Sequence, residues 1–125
     1  MIAVGIDLIE IDRIAGVINR HGWRFFERCF TLQEIIAADG KLEAFAVRFA
    51  AKEAASKVLG TGIGRVGWRE IEVVDLPSGQ PQLCLSGAAA EVARDLRLEH
   101  FSVSLTHTKD YAAAVVVAGS VGSPD

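Results

Sequence analysis

Glu53 and Lys57 stand one helical turn apart in the largely apolar run Arg48-Phe49-Ala50-Ala51-Lys52-Glu53-Ala54-Ala55-Ser56-Lys57-Val58-Leu59-Gly60-Thr61-Gly62. At 3.6 residues per turn, Phe45, Phe49, Glu53 and Lys57 fall on one line, so a row that begins as core ends in a carboxylate and then an ammonium. A buried charge requires a partner. Spacing alone leaves two readings open. One is an ordinary i,i+4 ion pair; the other is a carboxylate that holds a cation or takes a proton, beside an ammonium that neutralises an anion.

A second carboxylate belongs to the same chemistry. In Ile2-Ala3-Val4-Gly5-Ile6-Asp7-Leu8-Ile9-Glu10-Ile11, Asp7 shares its parity with Ile9 and Ile11, so in a strand it points where the apolar side chains point. Gly5 lies on the same face and lets another backbone approach beside that carboxylate. Glu10 and Asp12 have the other parity and read as solvated acids, with Asp12 able to cap the helix that follows. If Asp7 and Glu53 meet, two oxygen donors without clustered His or Cys suit a hard cation such as Mg²⁺, with phosphate oxygens of a substrate and water completing its shell. Such a site handles phosphoryl transfer. His21, His100 and His107 are scattered and show no zinc spacing.

The elements that would position these groups follow from periodicity. The first strand runs into one or two helices over residues 12–38, broken near Gly22, with Thr31-Leu32-Gln33-Glu34 forming a capping-box pattern. After the turn at Asp39-Gly40, a central helix spans Leu42 to Leu59 and Gly60 ends it. Strands are expected at Glu70–Leu76 and Gln82–Leu85 around the loop Pro77–Pro81, and a helix capped by Ser86 runs through Leu96. Phe101–Thr106 and Tyr111–Ala118 form a second hairpin, and Gly119–Asp125 reads as a frayed tail. No internal repeat is present. The expected class is α+β, a mainly antiparallel sheet packed on a long central helix.

A chain of 125 residues suits one domain, and no linker or shift of composition divides it. Apolar runs are short and interrupted by charge, well below the roughly 20 residues of a membrane span. No secretory leader is recognisable, so a cytoplasmic protein is expected. Cys29 and Cys84 lack metal or redox spacing and read as buried free thiols. The net charge of −3 argues against general nucleic-acid binding, yet Arg13, Arg20, Arg24 and Arg28 face only Glu27 over one stretch. That stretch reads either as a solvated helix face or as a surface for an acidic partner.

The segments Gly5–Arg13 and Phe49–Lys57 resemble the two signature blocks of the phosphopantetheinyl transferases. Gly60-Thr61-Gly62-Ile63-Gly64 and Val103–Ala112 are similar to blocks of the short bacterial branch of that family. Four blocks in the same order, with similar spacing, cover nearly the whole chain. The resemblance implies a phosphopantetheinyl transferase-like fold over residues 1–119, followed by a flexible tail at 120–125. It implies transfer of 4'-phosphopantetheine from coenzyme A to a serine of apo acyl carrier protein, in support of fatty acid biosynthesis. The products would be holo carrier protein and adenosine 3',5'-bisphosphate.

By the same resemblance Asp7 and Glu53 would hold Mg²⁺, and Glu53, directly or through a metal-bound water, would accept the serine proton. Lys57 would bind the diphosphate and assist the departing phosphate. Arg48, His107 and Thr108 would hold the ribose 3'-phosphate, with Ser56 also in the coenzyme A site. Gly60 and Gly62 would contact nucleoside or diphosphate, since the C-terminal end of a helix does not favour anions and the Lys-Ser/Thr pattern of a P-loop is missing. Gly79 and Pro81 would line the adenine across the interface of a homotrimer whose sites are shared between subunits. Arg13, Arg24 and Arg28, with Phe25 as an apolar anchor, would receive the acidic carrier protein. Asn19-Arg20-His21-Gly22 is one residue longer than the family pattern and residues 39–43 are shorter. Whether Arg20 or His21 reaches the partner, and whether Lys41 contacts phosphate, therefore stay open. Two other functions fit the residues: a non-catalytic nucleotide-binding oligomer with Glu53 and Lys57 as a structural pair, and a phosphohydrolase using water in place of the serine.

Overall fold

The longest helix forms where the sequence offers 18 residues rich in alanine and free of glycine and proline, and everything else is arranged around it. The computed structural model describes residues 1–120, so nearly all of the expected tail lies outside the described residues. Along the chain the elements are β1 (Ile2–Glu10), α1 (Ile11–His21), α2 (Trp23–Cys29), α3 (Leu32–Ala38), α4 (Leu42–Leu59), a 3₁₀ turn (Trp68–Glu70), β2 (Ile71–Asp75), β3 (Pro81–Leu85), α5 (Gly87–Asp95), β4 (His100–His107) and β5 (Tyr111–Gly119). They build two antiparallel sheets, β1-β5-β4 and the hairpin β2-β3. The larger sheet and α1–α3 pack on α4, as the α+β expectation required.

Small side chains explain how closely the layers meet. Ala46, Ala50, Ala51, Ala54 and Ala55 of α4 are wholly buried, and a Cβ on Gly5 would lie 2.1 Å from the Ala54 carbonyl oxygen. Only glycine lets β1 cross the helix there, beside Asp7. At the other end Gly60 takes the left-handed conformation at φ 74°, and its N–H donates to the Lys57 carbonyl. Between α1–α2 and α4 an aromatic cluster fills the core: Phe25, Phe26, Phe30, Phe45 and Phe49 meet pairwise at 4.8–5.9 Å, and Phe49 stacks on Trp68 at 4.5 Å.

Several local expectations change. The region 12–38 holds three helices, since the chain breaks again between Cys29 and Leu32, where Thr31 and Glu34 form the expected capping box. Asp12 lies inside the first turn of α1, where it favours the positive end of the helix dipole, and Glu10 is the N-cap without a side-chain bond. Ser86 likewise makes no cap bond; the Glu70 carboxylate accepts the Ala88 N–H at 2.7 Å instead. Gly119 closes β5, and the Ser120 N–H donates to the Met1 carbonyl, so the strand extends into what read as tail. Cys29 is buried as expected, whereas Cys84 is exposed because it occupies the outward parity of β3.

Candidate active site

The parity of β1 and the turn spacing of α4 do bring Asp7, Glu53 and Lys57 to one place. The Lys57 Nζ donates to the Ile6 carbonyl at 2.8 Å and to Asp7 Oδ1 at 3.2 Å. Its side chain stays 54% exposed while that of Asp7 is 16% exposed, so the ammonium lies at the surface and the carboxylate beneath it. Asp7 Oδ2 is buried and has no hydrogen-bond donor among the described residues. Half-buried Glu53 lies close enough to Asp7 to feel its charge. Burial, and then the Asp7 carboxylate, hold Glu53 above the ordinary carboxylate range, against the opposing pull of Lys57 and Arg13. Two carboxylates that repel each other, one with an orphaned oxygen, are a donor set that a divalent cation would complete. Among the described residues no cluster of three or more His, Cys, Asp or Glu exists, so any such ion would draw the rest of its shell from substrate and water.

Arg48 and Glu53 are five residues apart on α4 and so face directions roughly 140° apart. Arg48 points into a separate cavity of about 790 Å³, which also gathers Lys41, Asp75, Gly79, Pro81 and His107 in a single chain. The Arg48 side chain is 7% exposed; Nη1 donates to the Ala44 carbonyl at 3.0 Å and Nη2 to Asp75 Oδ2 at 3.0 Å, while Nε is enclosed without an acceptor. Thr108 adjoins on a smaller cavity shared with His107, and its backbone and hydroxyl both bond Tyr111 to close the β4–β5 turn.

The remaining candidates are placed unevenly. Ser56 is buried, and its hydroxyl donates to the Glu53 carbonyl at 2.7 Å. Gly60 and Gly62 sit in the loop folded back on α4, with the Gly62 N–H donating to the Ser56 carbonyl. Arg24 and Arg28 flank a small cavity together with His21, while Phe25 forms its floor and is 6% exposed. The exposed aromatic nearby is Trp23. Arg13 lies apart from that cavity, near Glu53. Lys52 and Asp75 carry no signal in the sequence, and Glu34 shows only its capping-box role: the partners of Lys52 and Glu34 are distant in the chain, and an acid at the end of a strand means nothing until Arg48 is seen facing it.

Fold and site together define a small α+β protein with a carboxylate pair, a half-exposed lysine beside it and a separate cavity lined by Lys41, Arg48 and His107, groups suited to an anionic ligand. The signature described as 4'-phosphopantetheinyl transferase superfamily matches residues 3–116. The holo-[acyl-carrier-protein] synthase of Herpetosiphon aurantiacus is 45% identical over 124 residues, covering 94% of this chain and 98% of the relative. Among solved structures, Helicobacter pylori holo-[acyl-carrier-protein] synthase in complex with coenzyme A is similar at TM-score 0.85 and 33% identity, covering 93% of this chain and 99% of that one. The Neisseria meningitidis holo-[acyl-carrier-protein] synthase is similar at TM-score 0.87 and 32% identity, over 95% and 99% of the two chains. The chain therefore belongs to the 4'-phosphopantetheinyl transferase superfamily and, within it, to the holo-[acyl-carrier-protein] synthases.

Proposed function

We propose that this chain moves 4'-phosphopantetheine from coenzyme A to the serine hydroxyl of apo acyl carrier protein, with Asp7, Glu53 and Lys57 carrying the chemistry. The observation behind this assignment is the orphaned Asp7 oxygen beside a Glu53 held above its ordinary range, with the Lys57 ammonium 3.2 Å from Asp7. The serine oxygen attacks the phosphorus nearer the pantetheine, and the bond from that phosphorus to the bridging oxygen breaks. The serine proton passes to Glu53, directly or through water, and adenosine 3',5'-bisphosphate departs with the electron pair. Lys57, half-exposed beside Asp7, neutralises or protonates the departing phosphate. Asp7 and Glu53 would hold Mg²⁺, which when bound offsets the charge of the diphosphate. Arg48, with His107 and Thr108, takes the ribose 3'-phosphate; Gly60 and Gly62 approach the diphosphate side and Gly79 and Pro81 the adenine. Ser56 acts from beneath, fixing the last turn of α4.

Arg13, Arg24 and Arg28 give the acidic carrier protein a basic approach that steers encounter. A homotrimer is supported by the outer face of β1, where Ile2, Val4, Ile6 and Leu8 are 64–79% exposed in one row, continued by Val117 of β5. A sheet face of this kind calls for a cover. We place the protein in the cytoplasm, where exposed Cys84 stays reduced; no helix among the described residues is long and apolar enough to cross a membrane.

Intact-mass spectrometry of apo carrier protein with this protein, coenzyme A and Mg²⁺ tests the proposal, with EDTA and Glu53→Gln as controls. The expected result is a gain of one phosphopantetheine arm that both controls abolish. Transfer undiminished by Glu53→Gln would remove Glu53 from the mechanism; coenzyme A breakdown without carrier would favour a hydrolase.

A further inference from the structure

Among the described residues Asp75 is the one acid in hydrogen-bond contact with Arg48, and it occupies a guanidinium donor that an anionic ligand would otherwise use. We propose that Asp75 is a displaceable counter-charge of Arg48, and that it sets how strongly the protein prefers coenzyme A over the same molecule lacking its ribose 3'-phosphate. The inference rests on the reading of Arg48 as the holder of that phosphate.

Two features of the pair separate it from a structural salt bridge. Arg48 is fixed: it lies on the central helix, is 7% exposed, and is tied to the Ala44 carbonyl one turn back. Asp75 is free to leave, being the last residue of β2 with a side chain 44% exposed. The pair is also incomplete. A guanidinium presents five N–H groups in a fork suited to two oxygens of one anion. Here a single Asp75 oxygen engages Nη2, and Nε is enclosed without any acceptor among the described residues. A phosphate that reached Arg48 would offer more oxygens and more charge than Asp75 does, and Lys41 and His107 line the same cavity. Glu43 is its other acid and makes no ion pair with Arg48.

Asp75 therefore acts in both states of the site. With the cavity empty it keeps a buried cation neutralised. When a phosphate arrives it must swing toward water or remain as a like charge beside the ligand, and either course weakens binding. Adenosine 3',5'-bisphosphate carries the same phosphate as coenzyme A, so the penalty falls equally on the product and speeds its release.

The test is calorimetric binding and steady-state kinetics on the full-length chain with coenzyme A, adenosine 3',5'-bisphosphate and 3'-dephospho-coenzyme A. Asp75→Asn should tighten the first two about tenfold, the scale of one partly screened charge pair. It should leave the dephospho form unchanged and lower kcat where release limits it, while Asp75→Glu keeps the wild-type preference. A variant that weakens all three ligands alike, or leaves the preference unaltered, overturns the role of Asp75. Arg48→Gln tests the underlying reading separately. If that variant still prefers the 3'-phosphorylated ligand, Arg48 is not its holder; if the preference collapses while Asp75→Asn is neutral, only the Asp75 inference fails.

Discussion

Lys52 and Lys57 are five residues apart on α4, yet their ammonium groups occupy different worlds. Lys52 is wholly buried and makes every bond an ammonium can make: to Glu34 Oε1 at 2.7 Å, to the Trp68 carbonyl at 3.0 Å and to the Ile71 carbonyl at 2.5 Å. Its partner Glu34 in turn accepts the Thr31 and Val73 N–H groups, so one buried pair ties α3, α4, the 3₁₀ turn and β2 together. Lys57 has two partners, leaves one donor position open and keeps half its surface in water. A charge that is fully satisfied can hold a fold but has nothing to offer a ligand. A charge left partly satisfied at the surface can bind one.

The largest effect expected from breaking this contrast is on Lys52. Lys52→Met leaves Glu34 charged and buried without its cation, which should cost about 3–5 kcal/mol of stability. Urea denaturation measures it, and a loss below about 1 kcal/mol would show that Glu34 is content with its backbone donors alone. Burial holds the Lys52 ammonium below its ordinary range despite Glu34, so the pair is a poor source of net stability and a strong constraint on which segments may meet.

Lys57→Met should do the reverse. Stability should move by less than about 1 kcal/mol, the range for an exposed ion pair, while transfer falls about 10²–10³-fold, as when a donor to a developing anion is lost. Measured together on the same samples, melting and transfer rates separate the two lysines. A Lys57 variant that transfers normally would return Lys57 and Asp7 to the status of a surface salt bridge.

Position along the chain predicted one lysine and not the other for a physical reason. Lys57 follows Glu53 by one turn, a relation readable from two letters four apart. Asp7 was readable too, because the period of a strand is two and Ile9 and Ile11 declare the inner face. The partners of Lys52 are Glu34 and two backbone carbonyls near residue 70, a geometry that no local pattern carries. Glu34 even misleads, since its capping-box spacing accounts for only one of its oxygens and the other reaches β2. The apolar row Ile2, Val4, Ile6 and Leu8 carries no signal in the sequence, because both parities of β1 are apolar and only the packing of α4 shows which face is left uncovered. The cavity around Arg48 needed β2, β3 and β4 in place before its lining could be named.

The smallest expected effect asks whether Glu53 sides with Lys57 in being held against its own stability. Burial and Asp7 raise its folded pKa above the ordinary 4.5, so between 4.5 and that raised value the native chain binds more protons than the unfolded one. Stability then falls as pH rises through the window, and above it the cost is fully present. Glu53→Gln, uncharged throughout, should therefore be more stable than the wild type near neutral pH in EDTA. The advantage should vanish as pH falls below 4.5, where wild-type Glu53 is protonated in both states. Thermal melts from about pH 4 to about pH 7.5 follow this difference. Saturating Mg²⁺ should reverse the order, because an ion held by Asp7 and Glu53 stabilises only the chain that retains both carboxylates. If Glu53→Gln loses stability in EDTA at neutral pH, Glu53 belongs with Lys52 among the charges that hold the fold, and the orphaned oxygen of Asp7 would have to find its cation without it.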